Sequence, residues 1–105
     1  MHIQIVTFQL SGDTDAEFRK RADDRAHAFA YIPGLVSKTW LANAATNTYG
    51  GVYLWHDRAA MEAYLVSPIF AAVRTNSKFV NLTTIDFEVL LEATRVTRGM
   101  PEVAA

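Results

Sequence analysis

The sequence contains no cysteine, which excludes disulfide cross-links, thiol catalysis and zinc ribbons. It also has no excess of charge of one sign: ten basic residues against eleven acidic ones leave a formal net charge of −1. The densest basic cluster, Arg19-Lys20-Arg21, is followed at once by Asp23-Asp24. Such mixed charge reads as a solvated helix face, with no basic stripe to follow phosphates, so no nucleic-acid partner is expected. No apolar run approaches the length of a membrane span, so no membrane partner is expected either. Residues 3–10 already read as a strand, so no signal peptide is expected ahead of the fold. The expectation is a cytoplasmic protein. The three histidines are scattered and lack metal-ligand spacing, so no metal site is expected. There is no Ser-His-Asp order, phosphate loop or dinucleotide fingerprint.

What is present is a globular composition, half hydrophobic and one-fifth charged, in a length suited to one domain. Two tryptophans, four tyrosines and six phenylalanines are generous for so small a core. Part of that aromatic surface is expected to face a cavity or a partner chain.

His2 to Leu10 reads as a strand with apolar residues on both sides, Ile3 and Ile5 pointing one way and Val6 and Phe8 the other. Thr14 with Glu17 is a capping-box pattern that opens a helix over about 15–31. Its buried stripe is Phe18, Ala22, Ala26 and Phe29, with His27 beside it as a partly exposed residue without chemistry. Pro33-Gly34 turns the chain into strands over about 35–42 and 50–55, joined by a polar loop. Asp57 is a helix N-cap, and Ser67-Pro68 opens a further short helix to about Arg74. A last strand lies within 78–91. The domain is expected over residues 1–92, with 93–105 as an arm or frayed tail.

The order strand, helix, strand, strand, helix, strand is that of the ferredoxin-like split βαβ fold, an α+β class. It predicts a four-stranded antiparallel sheet with helices on one face. The expected face assignment puts Val6, Phe8, Trp40, Tyr53 and Trp55 on the face away from the helices. A monomer would expose that surface, so pairing of two sheets in a homodimer is expected, as a dimeric α+β barrel.

The run Pro33-Gly34-Leu35, Lys38, Trp40, Gly50-Gly51-Val52-Tyr53-Leu54-Trp55 and Ala63-Tyr64-Leu65 resembles the YdhR-type monooxygenases. These belong to the antibiotic-biosynthesis-monooxygenase (ABM) group of dimeric α+β barrels. The resemblance implies a homodimer with a small-molecule pocket between each sheet and its helices or within the barrel, and implies no settled substrate. Haem-degrading relatives carry a helix Trp and a haem-ligating His where this chain has Tyr64 and Arg74. An arginine offers no neutral nitrogen ligand, so haem degradation is disfavoured.

Lys38 lies between Val36 and Trp40 on its own strand face, where desolvation would lower its pKa and fit it to act as a base or to hold an anion. The plainer alternative is an edge-strand lysine whose stem covers apolar surface. Lys38, Tyr53 and Tyr64 are the expected catalytic residues. Phe8, Trp40, Trp55 and Arg74 are the expected substrate contacts, with dimer core the alternative for the aromatics. His56-Asp57 resembles a base with its carboxylate, but neighbouring side chains diverge and Asp57 serves better as a cap. The expected function is oxidation of an electron-rich aromatic or polyketide-like molecule by a small homodimeric monooxygenase with no cofactor. A cyclase, isomerase or decarboxylase on a similar substrate, or a non-catalytic binding module, stays open.

Overall fold

The computed structural model describes residues 1–101. Eight elements follow one another: β1 (His2–Leu10), α1 (Asp15–Ala30), β2 (Leu35–Asn43), β3 (Thr48–Trp55), α2 (Arg58–Leu65), α3 (Pro68–Arg74), β4 (Phe79–Glu88) and α4 (Leu91–Val96). The four strands form one antiparallel sheet in the order β2-β3-β1-β4. This is the ferredoxin-like α+β arrangement.

The helix starts are fixed locally. Thr14 accepts from the backbone N–H of Glu17, whose carboxylate accepts from Thr14 N–H, completing the capping box of α1. Asp57 caps α2 through the N–H of Ala60 at 2.8 Å. Ser67 caps α3, with Pro68 at its first turn, where a missing N–H costs nothing. Gly34, at φ +79, lies so close to α2 that an added Cβ would sit 2.4 Å from the Ala60 methyl.

Strand alternation sorts β1 into two sets. His2, Gln4, Val6, Phe8 and Leu10 are buried, and Ile3, Ile5, Thr7 and Gln9 are half-exposed. The buried set lies under the helices, with Tyr53 and Trp55 of β3 and Trp40 of β2 on the same side. The expected face assignment is therefore reversed: Val6, Phe8, Trp40, Tyr53 and Trp55 face the helices. The reason is volume. Large rings fill the deep space between sheet and helices, where Phe18 and Phe29 of α1, Met61 and Tyr64 of α2 and Phe70 of α3 meet them. The opposite face carries branched aliphatic residues and one ring, paired in register as Ile5 with Val52 and Ile85, and Ile3 with Leu54 and Phe87. Ile85 and Phe87 are about half exposed, at 51% and 52%.

The arm expected from residue 93 begins inside α4, which with residues 97–101 lies against part of this open face. Leu90, Ala93 and Thr94 there meet Ile3, Val52 and Leu54 around a shallow cleft. Residues 102–105 of that arm lie outside the described residues.

Candidate functional site

A cavity of about 440 Å³ opens between the sheet and the helices. Its floor is Val6, Phe8, Lys38, Trp40, Gly50, Gly51 and Tyr53, and its roof comes from α1 and α3. Lys38 is placed there by strand pairing, opposite Tyr53 in the β2–β3 ladder. Gly51 makes the placement possible, because a Cβ at that position would lie 2.7 Å from Lys38 Cε. The lysine stem therefore crosses β3 where no side chain stands.

The Lys38 ammonium nitrogen lies 3.3 Å from the centroid of the Trp40 ring, 3.6 Å from that of Phe29 and 4.7 Å from that of Tyr53. Among the described residues no carboxylate pairs with it. No aspartate or glutamate is among the cavity-lining residues. Burial lowers its pKa to about 7. The amine is thus half neutral near physiological pH, with no acid among the described residues placed to hold its proton.

Two further cations reach the cavity, Arg21 and Arg25, one turn apart on α1. Arg21 donates to Asp13, whose carboxylate is fully covered. Arg25 is exposed. The lining therefore holds one buried amine and two arginine side chains, of which Arg21 is already paired with Asp13, and no anionic side chain, on an otherwise apolar and aromatic surface. That combination suits a flat molecule bearing an acidic hydroxyl or another anionic group.

Behind the floor, Tyr53 stacks parallel on Trp55, with ring centroids 5.8 Å apart. The hydroxyls of Tyr53 and Tyr64 share a hydrogen bond of 3.2 Å. Burial pushes both phenols above their ordinary pKa, with the neighbouring hydroxyl adding to the rise at Tyr53 and opposing it at Tyr64. Both stay protonated at neutral pH and can donate, not accept, a proton. Trp55 is fully buried, and its Nε1 donates to Gln4 Oε1 at 3.0 Å. Gln4 Nε2 in turn donates to Thr84 Oγ1 at 2.9 Å.

The structure thus gathers Phe8, Lys38, Trp40 and Tyr53 on the cavity wall. Trp55 and Tyr64 stand behind it, supporting Tyr53 without lining the space. Arg74 is exposed at the end of α3 and does not line the cavity, because that helix turns its Pro68, Ile69, Ala72 and Val73 inward. His56 is exposed; its backbone N–H donates to Gly34 O at 2.9 Å. His27 is exposed on α1. Among the described residues no cluster of His, Cys, Asp and Glu is placed to hold a metal ion. Also among them, no helix is long and apolar enough to cross a membrane.

Arg21 and Arg25 escaped the sequence reading, although a signal existed. They stand three and seven residues after Phe18, on the stripe that also carries Ala22 and Phe29. Their charge made them look solvated, but an arginine stem lines apolar surface readily while its head stays at the rim.

The family model described as "Putative mono-oxygenase ydhR" matches residues 3–100. Among solved structures, the haem degrader MhuD of Mycobacterium tuberculosis, with two haems bound in its active site, is 26% identical. That match covers 88% of this chain and 98% of MhuD, with a TM-score of 0.70. SnoaB, a cofactor-independent oxygenase from Streptomyces nogalater, is 26% identical over 85% of this chain and 93% of its own, with a TM-score of 0.64. A putative antibiotic biosynthesis monooxygenase from Deinococcus radiodurans shares the fold, at 20% identity, a TM-score of 0.64 and coverage of 85% of this chain and 92% of that one. No curated protein matches the chain significantly in sequence.

Proposed function

The chain belongs to the ydhR mono-oxygenase family, and on that premise we propose that it is a homodimeric, cofactor-independent monooxygenase of an electron-rich aromatic or polyketide-like molecule. The observation that carries the reading is Lys38: a desolvated amine without a counter-ion among the described residues, set over aromatic rings in an apolar cavity. Neutral Lys38 takes the proton of a phenol or an enolisable methylene. The resulting ammonium then holds the anion, and Trp40 and Phe8 flank the ring system. Tyr53, fixed by Trp55 and Tyr64, orients the ligand. The bound carbanion or phenolate reduces dioxygen directly. One oxygen atom replaces the two hydrogens of the methylene as a carbonyl and the other leaves as water, so all four electrons come from the substrate. The protein supplies deprotonation, orientation and a dry pocket.

The family resemblance to a haem degrader does not favour haem as substrate. Among the described residues lining the cavity there is no histidine. Tyr64 and Arg74, at the two positions that would matter, lie behind the wall and outside it. SnoaB, named a cofactor-independent oxygenase, is the better guide.

The test is oxygen uptake with a tricyclic phenol that carries an enolisable methylene. The parent protein should consume one dioxygen per product, and Lys38→Met should lower the rate by roughly a hundredfold, as for loss of a general base. Turnover without oxygen uptake would instead make the protein a cyclase, isomerase or decarboxylase. Tight binding with no product would make it a binding module. Either outcome overturns the oxygenase reading.

Support for a dimer comes from the open sheet face rather than from the aromatic one. Ile5, Ile85 and Phe87 form an apolar surface that the helices leave open, with Ile3 and Val52 beside α4 at its border. Sedimentation at micromolar concentration should show a dimer, with a total buried area above about 2,000 Å². Phe87→Asp, which leaves the helix side untouched, should shift it to monomer. A parent that sediments as a stable monomer would contradict the barrel.

A further inference from the structure

We propose that Lys38 is an imine-forming lysine: the cavity condenses an aromatic aldehyde or ketone reversibly onto its amine, giving the protein a carbonyl-capturing activity that needs no oxygen. The geometry is that of an activated amine nucleophile. Lys38 lies on the cavity wall, among rings and aliphatic residues, with no carboxylate within salt-bridge distance among the described residues. A lysine desolvated in a hydrophobic pocket is one of the recognised ways to make the amine reactive at neutral pH. Its lowered pKa, about 7, is consistent with that environment.

In the first step the neutral nitrogen attacks the carbonyl carbon. The C–N bond forms, and a proton passes from nitrogen to the carbonyl oxygen. The carbinolamine hydroxyl then takes a proton from solvent at the open mouth of the cavity and leaves as water, and the nitrogen lone pair closes the C=N bond, giving the protonated imine. No oxidant or reductant is required, and addition of water returns both partners. The protonated imine is again a cation, and it stays over the faces of Phe29 and Trp40, which stabilise cations electrostatically. An aromatic aldehyde fills the space that Phe8, Phe18, Phe79 and Val73 line. This inference shares with the oxygenase reading the cavity and its neutral amine, but neither reaction depends on the other.

The experiment is reductive trapping of the intact protein, without oxygen, using 2-naphthaldehyde and cyanoborohydride at pH 7, with peptide mapping by mass spectrometry. The chain has two other lysines, Lys20 and Lys78, both exposed, which serve as internal references. At pH 7 an amine of pKa near 7 is about half neutral. An ordinary lysine, at about 10.4, is neutral to less than about one part in a thousand. Allowing for the weaker intrinsic nucleophilicity of the less basic amine, Lys38 should label roughly thirtyfold faster than the references. A saturating flat phenol should protect it selectively. Lys38→Arg should remove the fast-labelled peptide that contains residue 38 and leave labelling of Lys20, Lys78 and the N-terminal amine unchanged. Labelling of Lys38 at the rate of the exposed lysines, or fast labelling that a cavity ligand does not slow, would overturn the proposal. Because the readout is a covalent adduct formed without oxygen, its failure would leave the oxygenase reading to its own test.

Discussion

Replacing Gly50 by alanine is expected to prevent stable folding. Gly50 faces Thr7 in the β1–β3 ladder, with φ at +154. A Cβ built on it would stand 1.8 Å from the carbonyl oxygen of Val6, 2.8 Å from its carbonyl carbon and 3.0 Å from Thr7 Cα. All three atoms are backbone in the central strand of the sheet, so no side chain can rotate out of the way. Relief requires β1 and β3 to separate, which breaks the ladder beneath the cavity and unpacks Phe8 from Phe18 and Phe79. Destabilisation above about 4 kcal/mol, the exceptional end of point-mutant effects, is expected. For a domain of ordinary stability this is most of what holds the fold. Gly12→Ala is the comparison. Gly12 also has positive φ, at +77, but nothing lies within 4 Å of an added Cβ, so only the backbone preference of about 1–2 kcal/mol is lost. Denaturant unfolding of the two variants separates the effects. A Gly50→Ala protein that loses no more than Gly12→Ala would contradict the close approach of the two strands.

The second large effect is that of Lys38→Met, which keeps the stem volume and removes the charge. A phenolate-type ligand that fills the cavity should bind the variant more weakly by about 1.5–3 kcal/mol, the range for a hydrogen bond to a charged group, or roughly 10- to 150-fold. Stability should move the other way. In the folded protein burial holds the Lys38 pKa at about 7, and in the unfolded chain it returns to about 10.4. Between these values the unfolded state binds the extra proton, so the parent gains stability as pH rises and carries the full penalty below pH 7. From pH 7 to 9.5 the gain attributable to Lys38 should be about 2–3 kcal/mol. The buried phenols enter only above that window. With folded pKa values raised, Tyr53 and Tyr64 contribute stability that is present below about pH 10 and is lost as pH climbs further. Lys38→Met should therefore melt no lower than the parent at pH 7, with the difference shrinking as pH approaches 9.5. A variant that melts several degrees lower at pH 7, or a difference that is flat in pH, would assign Lys38 to solvent.

Much of the fold was legible because its signals are local. Thr14 with Glu17, Asp57, and Ser67 with Pro68 each fix a helix start through neighbours three residues away, and all three cap as read. The element order then leaves few topologies open. The choice of sheet face was not legible. β1 is apolar on both sides, so alternation alone cannot say whether Ile3 and Ile5 or Val6 and Phe8 meet the helices. That choice is made by long-range volume: only the space beneath α1, α2 and α3 accommodates Phe8, Tyr53 and Trp55 together. The same limit explains the site. Lys38 beside Trp40 was visible as an incongruous charge in an apolar strand. How deep Trp55 and Tyr64 sit depends on packing between distant elements, as does the outward turn of Arg74. Arg21 and Arg25 were hidden by their own charge, since their stems and not their heads belong to the stripe.

The central claim is that the cavity holds a neutral amine near physiological pH. It is tested most directly by following the Lys38 Cε and Hε resonances of the ligand-free protein through a pH titration, assigned by comparison with Lys38→Met. The account predicts a midpoint near 7, with the other two lysines serving as references in the same spectra. A midpoint near 10.4, the value of a solvated lysine, would contradict it.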